Sequence, residues 1–294
     1  MKKFNMEHLE KLADKNKSGK EIDWKCKKLK NLELAESYKR LGLKKAYRVE
    51  ECGTLLSFKI IDEDLKKLFK ANFCKDRLCP MCTWRRSMKI FGQVSKVMDR
   101  ALEDKEYRFL FLTLTVRNCT GEELSNEIDR MFNSLKLLFQ RKEVKKIVIG
   151  FFRGLEVTYN EEYDTYHPHF HIILMVNKSY FKKSDKYLTQ KDWTNLWKDC
   201  LKVDYTPIVN VKAFKTASKE QTRKSICEVA KYTVKDNDYL FEDIEMTDNT
   251  VAILNNALKS RRLIAFGKKF RKIHKELNLD DAEKGDLINT DVDD

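Results

Sequence analysis

The stretch from Tyr166 to Val176, YHPHFHIILMV, decides how this chain is read. It holds three of the chain's five histidines, His167, His169 and His171, at a spacing of two. On a β-strand alternate side chains share a face, so the imidazoles line one side while Phe170, Ile172, Leu174 and Val176 line the other. The second side is a core face. The first sets imidazoles in a row, close enough for two of them to grip one metal ion.

The neighbouring sequence supplies a carboxylate. In RGLEVTYN, Glu156 sits between Leu155 and Val157, and the turn-like NEEYDTY joins this run to the histidine strand. A hairpin there lays Glu156 across from His169 and His171. Two imidazoles, one carboxylate and open positions suit a divalent ion that also holds a phosphate oxygen and water. Further on, ICEVAKYTVK puts Glu228 and Tyr232 four residues apart, one turn along a helix face. A tyrosine with its ordinary pKa near ~10 is a poor nucleophile at neutral pH. Beside a metal-polarised phosphate it becomes a competent one. Taken alone, the pair reads as a surface carboxylate beside a half-buried tyrosine.

A second metal signal lies upstream. CKDRLCPMC sets Cys74, Cys79 and Cys82 at a C-x4-C-x2-C spacing, with Cys52 as an upstream fourth thiolate and Cys26 as its alternative. Four thiolates converging on a tetrahedral ion make a closed, structural zinc site. Cys119, Cys200 and Cys227 stand singly and read as core residues. Directly after Cys82, WRRSMK places Arg85, Arg86 and Lys89 as candidate contacts to DNA phosphates, with Lys231 beside the tyrosine.

The net charge is +13, yet residues 276–294 hold eight carboxylates against one lysine, so residues 1–275 carry +20. Such an excess favours a polyanionic partner, and the acidic end reads as a solvated, disordered tail. No apolar run is long enough for a membrane span, and the first residues lack a secretory signal's apolar core. A cytoplasmic location and reduced cysteines are the expectation.

The runs YRFLFLTLTVRN, IVIGFFRGLEVTYN, HPHFHIILMV and PIVNVKAF read as strands. EELSNEIDRMFNSLKLLFQRK, TQKDWTNLWKDCLKV (with Thr189 as N-cap) and KEQTRKSICEVAKYTVK read as helices. TVAILNNALKSRRLIAFGKKFRKIHKEL reads as a C-terminal helical region interrupted near Gly267. This is an α+β pattern around a mostly antiparallel sheet.

With these elements in this order, the chain resembles the HUH endonucleases. It is most similar to the replication initiator (Rep) proteins of small bacterial plasmids that copy by the rolling-circle route. FLFLTLTVRN resembles the family's first motif and HPHFHIILMV its metal motif, with His169 and His171 as the two histidines and Phe170 between them. EVAKYTVK resembles the single-tyrosine third motif, and NFCKDRLCPMCTWRRS the cysteine-rich segment of the subgroup.

The resemblance implies the HUH fold, a central antiparallel sheet flanked by helices, with an N-terminal zinc-binding segment. It implies Mn²⁺ or Mg²⁺ on His169, His171 and Glu156, attack by Tyr232 on origin DNA, and Glu228 as general base for a second, hydrolytic cut. His167 takes a supporting or substrate-contact role. Zn²⁺ would sit on the cysteines, and a host helicase and DNA polymerase would follow the nick.

The expected divisions are residues 1–100, basic and holding the zinc segment at about 49–86; 101–245, catalytic; 246–275, helical; and 276–294, the acidic tail. The competing readings are a catalytically silent, zinc-stabilised DNA-binding regulator and a single-tyrosine HUH transposase. The first has no use for a Glu–Tyr helix face, and the second is usually smaller and lacks the cysteine segment.

Overall fold

The computed structural model describes residues 23–62, 65–104, 107–182, 187–214, 226 and 234–290. The expected hairpin forms from β4 (Gly150–Asn160) and β5 (Thr165–Asn177). Its turn is closed by Asn160 Oδ1, which accepts the Tyr163 N–H at 3.1 Å. Asp164 takes the left-handed conformation (φ 46°), which an aspartate tolerates better than most residues. β3 (Tyr107–Thr115) pairs with the other edge of β5, β6 (Val209–Ala213) flanks β3, and β7 (Ile264–Lys268) flanks β4. The result is a five-stranded antiparallel sheet in the order β6-β3-β5-β4-β7.

Helices cover both faces, and for that reason β5 is apolar on both sides beyond His171. Ile172, Ile173, Leu174, Met175 and Val176 are all fully buried. One face is covered by α4 (Gly121–Gln140), which starts at a Thr120–Glu123 capping box and buries Leu124, Ile128, Met131, Leu135 and Leu138. Its Phe132 ring lies 5.2 Å from Phe170. The short α5 (Lys142–Ile147) follows α4, and on the same face as α4 lies α6 (Gln190–Leu201), capped by Thr189 as expected, which sends the Trp197 indole N–H to Thr115 O at 2.8 Å. The opposite face is closed at its far end by α8 (Lys269–Glu276), whose Phe270 packs 5.9 Å from Phe109. Its near end carries the histidines.

The N-terminal part builds α1 (Trp24–Arg40), α2 (Ala46–Glu50), a β1–β2 hairpin (Leu56–Asp62 and Leu65–Ala71) and α3 (Pro80–Leu102). α1 packs on α3 and on α7 (Ile244–Leu258), and α3 packs on α8. One continuous core therefore runs from Trp24 to Leu287.

Two expectations are corrected. The C-terminal helical region is α7, then the edge strand β7, then α8. Gly267 lies inside β7, where the Phe151 ring of the paired strand occupies the space a side chain would need.

The acidic end is packed as far as residue 290, with Ala282, Glu283, Leu287 and Thr290 buried; residues 291–294 lie outside the described residues. It lies along α3 and takes up the cations expected to face DNA. Arg85 donates to Leu287 O (2.9 Å) and Ile288 O (2.6 Å), and Arg86 donates to Glu283 O (3.2 Å) and Asp76 O (2.8 Å). Lys89, 1% exposed, reaches Asp280 Oδ2 (2.7 Å) and Asp286 O (2.6 Å). A charge count treats carboxylates as solvated, but residues 85, 86 and 89 share one helix face, and the C-terminal strap supplies its acceptors.

This packing has a measurable consequence. Leu287→Ala should destabilise the protein by about 2–4 kcal/mol, as for other buried leucines, measured as a lowered urea midpoint. A solvated tail would leave the midpoint unchanged.

Candidate metal centres

β4 and β5 pair with Glu156 opposite His169, and β3 sets Thr113 opposite His171 and Thr115 opposite His169. The three ligand candidates thus meet on one sheet face. His171 Nε2 lies 2.8 Å and His169 Nε2 3.4 Å from Glu156 Oε2. Their donor atoms fall within 4.8 Å of one another, so the group could hold one metal ion.

The imidazoles are oriented by their other nitrogens. His169 Nδ1 faces His167 O at 3.1 Å, and His171 Nδ1 faces Thr113 Oγ1 at 3.4 Å. With a proton on Nδ1 donated to the His167 carbonyl, Nε2 is the nitrogen through which His169 would hold a metal ion. The Phe111 ring stacks on His171 at 5.5 Å.

His167 itself stays outside the group and contributes its carbonyl. Burial, and then the neighbouring His169, lower its pKa. Burial alone would raise the Glu156 pKa, but the hydrogen bonds and charges of the two histidines outweigh it and hold this carboxylate well below the usual range.

Lys235 was not anticipated from the sequence. Its Nζ lies 3.2 Å from Glu156 Oε1, at the edge of the group. The signal was its position three residues after Tyr232. Lys27 and Lys30 anchor the next residue, Asp236, at 3.0 and 3.3 Å, and Tyr239 donates its hydroxyl to Leu78 O. A cavity of about 180 Å³ beside Lys235 is lined by Lys27, Pro80, Trp84, Val234 and Tyr239. Tyr232, Glu228 and Lys231 lie outside the described residues.

The second centre joins Cys52, Cys74, Cys79 and Cys82, all buried. Cys26 lies in the first turn of α1, partly exposed and apart from this group, so Cys52 is the fourth member. Sulfur pairs 52–82, 74–82 and 52–79 are each 3.6 Å apart. A tetrahedron with metal–sulfur bonds of about 2.3 Å has edges of about 3.8 Å, so the thiols are spaced for one ion.

Each sulfur also accepts one N–H. Asn31 Nδ2 reaches Cys79 (3.3 Å), and the backbone amides of Cys74, Lys75 and Asp76 reach Cys52 (3.3 Å), Cys82 (3.2 Å) and Cys74 (3.4 Å). Hydrogen bonds from the other three thiols hold Cys82 well below its usual pKa, while burial pushes Cys79 up. Four sulfurs this close ionise together only around a cation. Gly53 takes φ 72°, a left-handed conformation in which a side chain would be strained.

Fold and sites together define an α+β protein with two candidate metal centres, one of four thiols and one of two histidines and a carboxylate. The family model for the replication protein matches residues 65–294. A protein rep from Bacillus amyloliquefaciens is 46% identical over 96% of this chain and 90% of its own length. One from Streptococcus pneumoniae is 43% identical over 95% and 87%, and one from Staphylococcus aureus 40% over 73% and 93%. No solved structure matches the chain significantly. The chain belongs to the replication protein (Rep) family. Among the described residues no helix is long and apolar enough to cross a membrane.

Proposed function

We propose that this protein initiates rolling-circle replication of a plasmid by cutting and rejoining one DNA strand at the origin. The observation that carries the reading is the meeting of Glu156, His169 and His171 on one sheet face, with Lys235 against Glu156. Three residues of chain span at most about 11 Å, which favours action of Tyr232 at this face. Tyr239, the other tyrosine of this stretch, is a poor nucleophile. It is 1% exposed, its hydroxyl is engaged by Leu78 O, and burial pushes its pKa well above the ordinary value.

Glu156, His169 and His171 would hold Mn²⁺ or Mg²⁺, and Cys52, Cys74, Cys79 and Cys82 would hold Zn²⁺. When bound, the Mn²⁺ or Mg²⁺ supplies Lewis-acid polarisation of the scissile phosphate. The Tyr232 oxygen forms a bond to phosphorus as the bond to the 3′ oxygen breaks. The electron pair leaves on that oxygen, which takes a proton and becomes the 3′-OH primer for a polymerase. The 5′ phosphate stays esterified to Tyr232, so the strand is rejoined without an outside energy source. Glu228 acts as base for a water in a terminating second cut. His167 orients His169 through its carbonyl, and Lys235 supports the phosphate's negative charge.

The test mixes the protein with Mn²⁺ and a single-stranded oligonucleotide from its own replicon's origin, then denatures it. A covalent adduct is expected, lost on chelation. His169→Ala should weaken Mn²⁺ binding by roughly 100-fold, read by titration, and slow adduct formation at limiting Mn²⁺. Wild-type protein that forms no adduct with its own origin would refute the reading.

A further inference from the structure

The loop between α1 and α2, the cysteine loop and the end of α7 enclose a cleft of about 430 Å³. Six cations line it: Lys44, Lys45, Arg48, Lys75, Arg77 and Lys259. They face one carboxylate, Asp76, which already accepts from Lys45 Nζ (2.7 Å) and the Tyr38 hydroxyl (2.9 Å). Arg77 serves the fold, donating to Leu258 O at 2.7 Å. The remaining four, Lys44, Arg48, Lys75 and Lys259, are exposed and make no ion pair among the described residues.

Unpaired cations gathered around one concavity repel each other, and a polyanion relieves that repulsion while releasing its own counterions. Lys75 is placed there by the cysteine centre. It sits between Cys74 and Cys79 with φ 59°, and its backbone N–H donates to Cys82 Sγ at 3.2 Å. Among the described residues no aromatic ring lines the cleft. Sites for single strands add rings on which unstacked bases lie, and this one offers only charge. The cavity beside Lys235, in contrast, is lined by Trp84. Leu78, which lines the cleft, is two residues from Pro80, which lines the cavity at the start of α3.

We propose that the basic cleft binds the phosphate backbone of double-stranded DNA, holding the duplex beside the strand that is cut at the histidine face. This rests on the replication reading above and adds to it a second DNA contact, separate from the cutting site.

The test compares wild-type protein with the variant Lys44→Ala, Arg48→Ala, Lys75→Asn, Lys259→Ala, asparagine being chosen because it tolerates positive φ. Binding of a labelled duplex of about 30 base pairs is titrated between ~50 and ~200 mM salt, alongside a single strand of the same length. The slope of log K against log salt should fall by about three to four for the duplex, with affinity near 150 mM dropping roughly 100-fold.

Adduct formation on a short single-stranded origin oligonucleotide with Mn²⁺ should keep the wild-type rate. An unchanged duplex slope would overturn the proposal. So would an equal loss on the single strand, or a lost adduct with duplex binding intact, because either result makes the cleft part of the cut strand's path. The slope comparison decides the cleft whether or not an adduct forms, and the wild-type adduct separately decides the nicking reading.

Discussion

Tyr232→Phe is expected to form no covalent adduct with origin DNA, a loss of about 10³-fold or more, while Glu228→Ala still makes the first nick. The phenylalanine keeps the ring but removes the only atom that can bond to phosphorus. A substitute would have to come from another hydroxyl, and the nearest tyrosine in sequence within the described chain, Tyr239, is buried with its hydroxyl engaged by Leu78 O. Glu228→Ala separates the two chemical steps. Tyrosine attack needs no activated water, but a terminating hydrolysis does, so the variant should accumulate phosphotyrosyl product. The measurement is a denaturing gel of protein with end-labelled oligonucleotide, read over time. An adduct that persists in Tyr232→Phe moves the nucleophile elsewhere, and loss of the first nick in Glu228→Ala removes that residue's assigned role.

Loss of the thiol centre should have the second large effect. Cys82→Ser is expected to lose the zinc proposed for this centre and with it the packing of α1, α2 and the start of α3. Structural zinc sites contribute on the order of 10 kcal/mol to folding. The apo centre leaves thiols 3.6 Å apart in a buried pocket whose N–H groups are aimed at thiolates. Cys26→Ser should keep both zinc and thermal midpoint, because that thiol stands apart from the group.

The effect should also reach the histidine face. The segment carrying Lys235 is tied to the part that holds the thiol centre by Tyr239 to Leu78 O and by Asp236 to Lys27 and Lys30. Nicking by Cys82→Ser should therefore fall even in excess Mn²⁺. Metal analysis and circular dichroism melting check the prediction; a variant with a wild-type melt and full nicking would sink it.

The alternation in YHPHFHIILMV was enough, without coordinates, to set the histidines on one face and to place Glu156 across a hairpin from them, because strand period and turn chemistry are local. The spacing of Cys74, Cys79 and Cys82 was legible for the same reason: short loops bring their own ligands together. What lay beyond sequence were contacts between residues far apart in the chain. Cys52 rather than Cys26 as fourth thiol depends on how α2 turns back onto α3. That His167 presents its carbonyl to His169 depends on a ring orientation, which the alternating pattern does not specify.

The largest difference concerns charge. Arg85, Arg86 and Lys89 followed a cysteine motif and looked ready for phosphate, while the acidic end looked solvated. In the fold each meets the other, nearly two hundred residues apart. Around the basic cleft, the cations without an ion pair among the described residues are Lys44, Arg48, Lys75 and Lys259, drawn from three separate segments. Composition by itself determined that there was excess positive charge; only tertiary packing decided which cations are taken up by the protein's own carbonyl and carboxylate oxygens and which stay exposed, since these contacts depend on distance in space rather than along the chain.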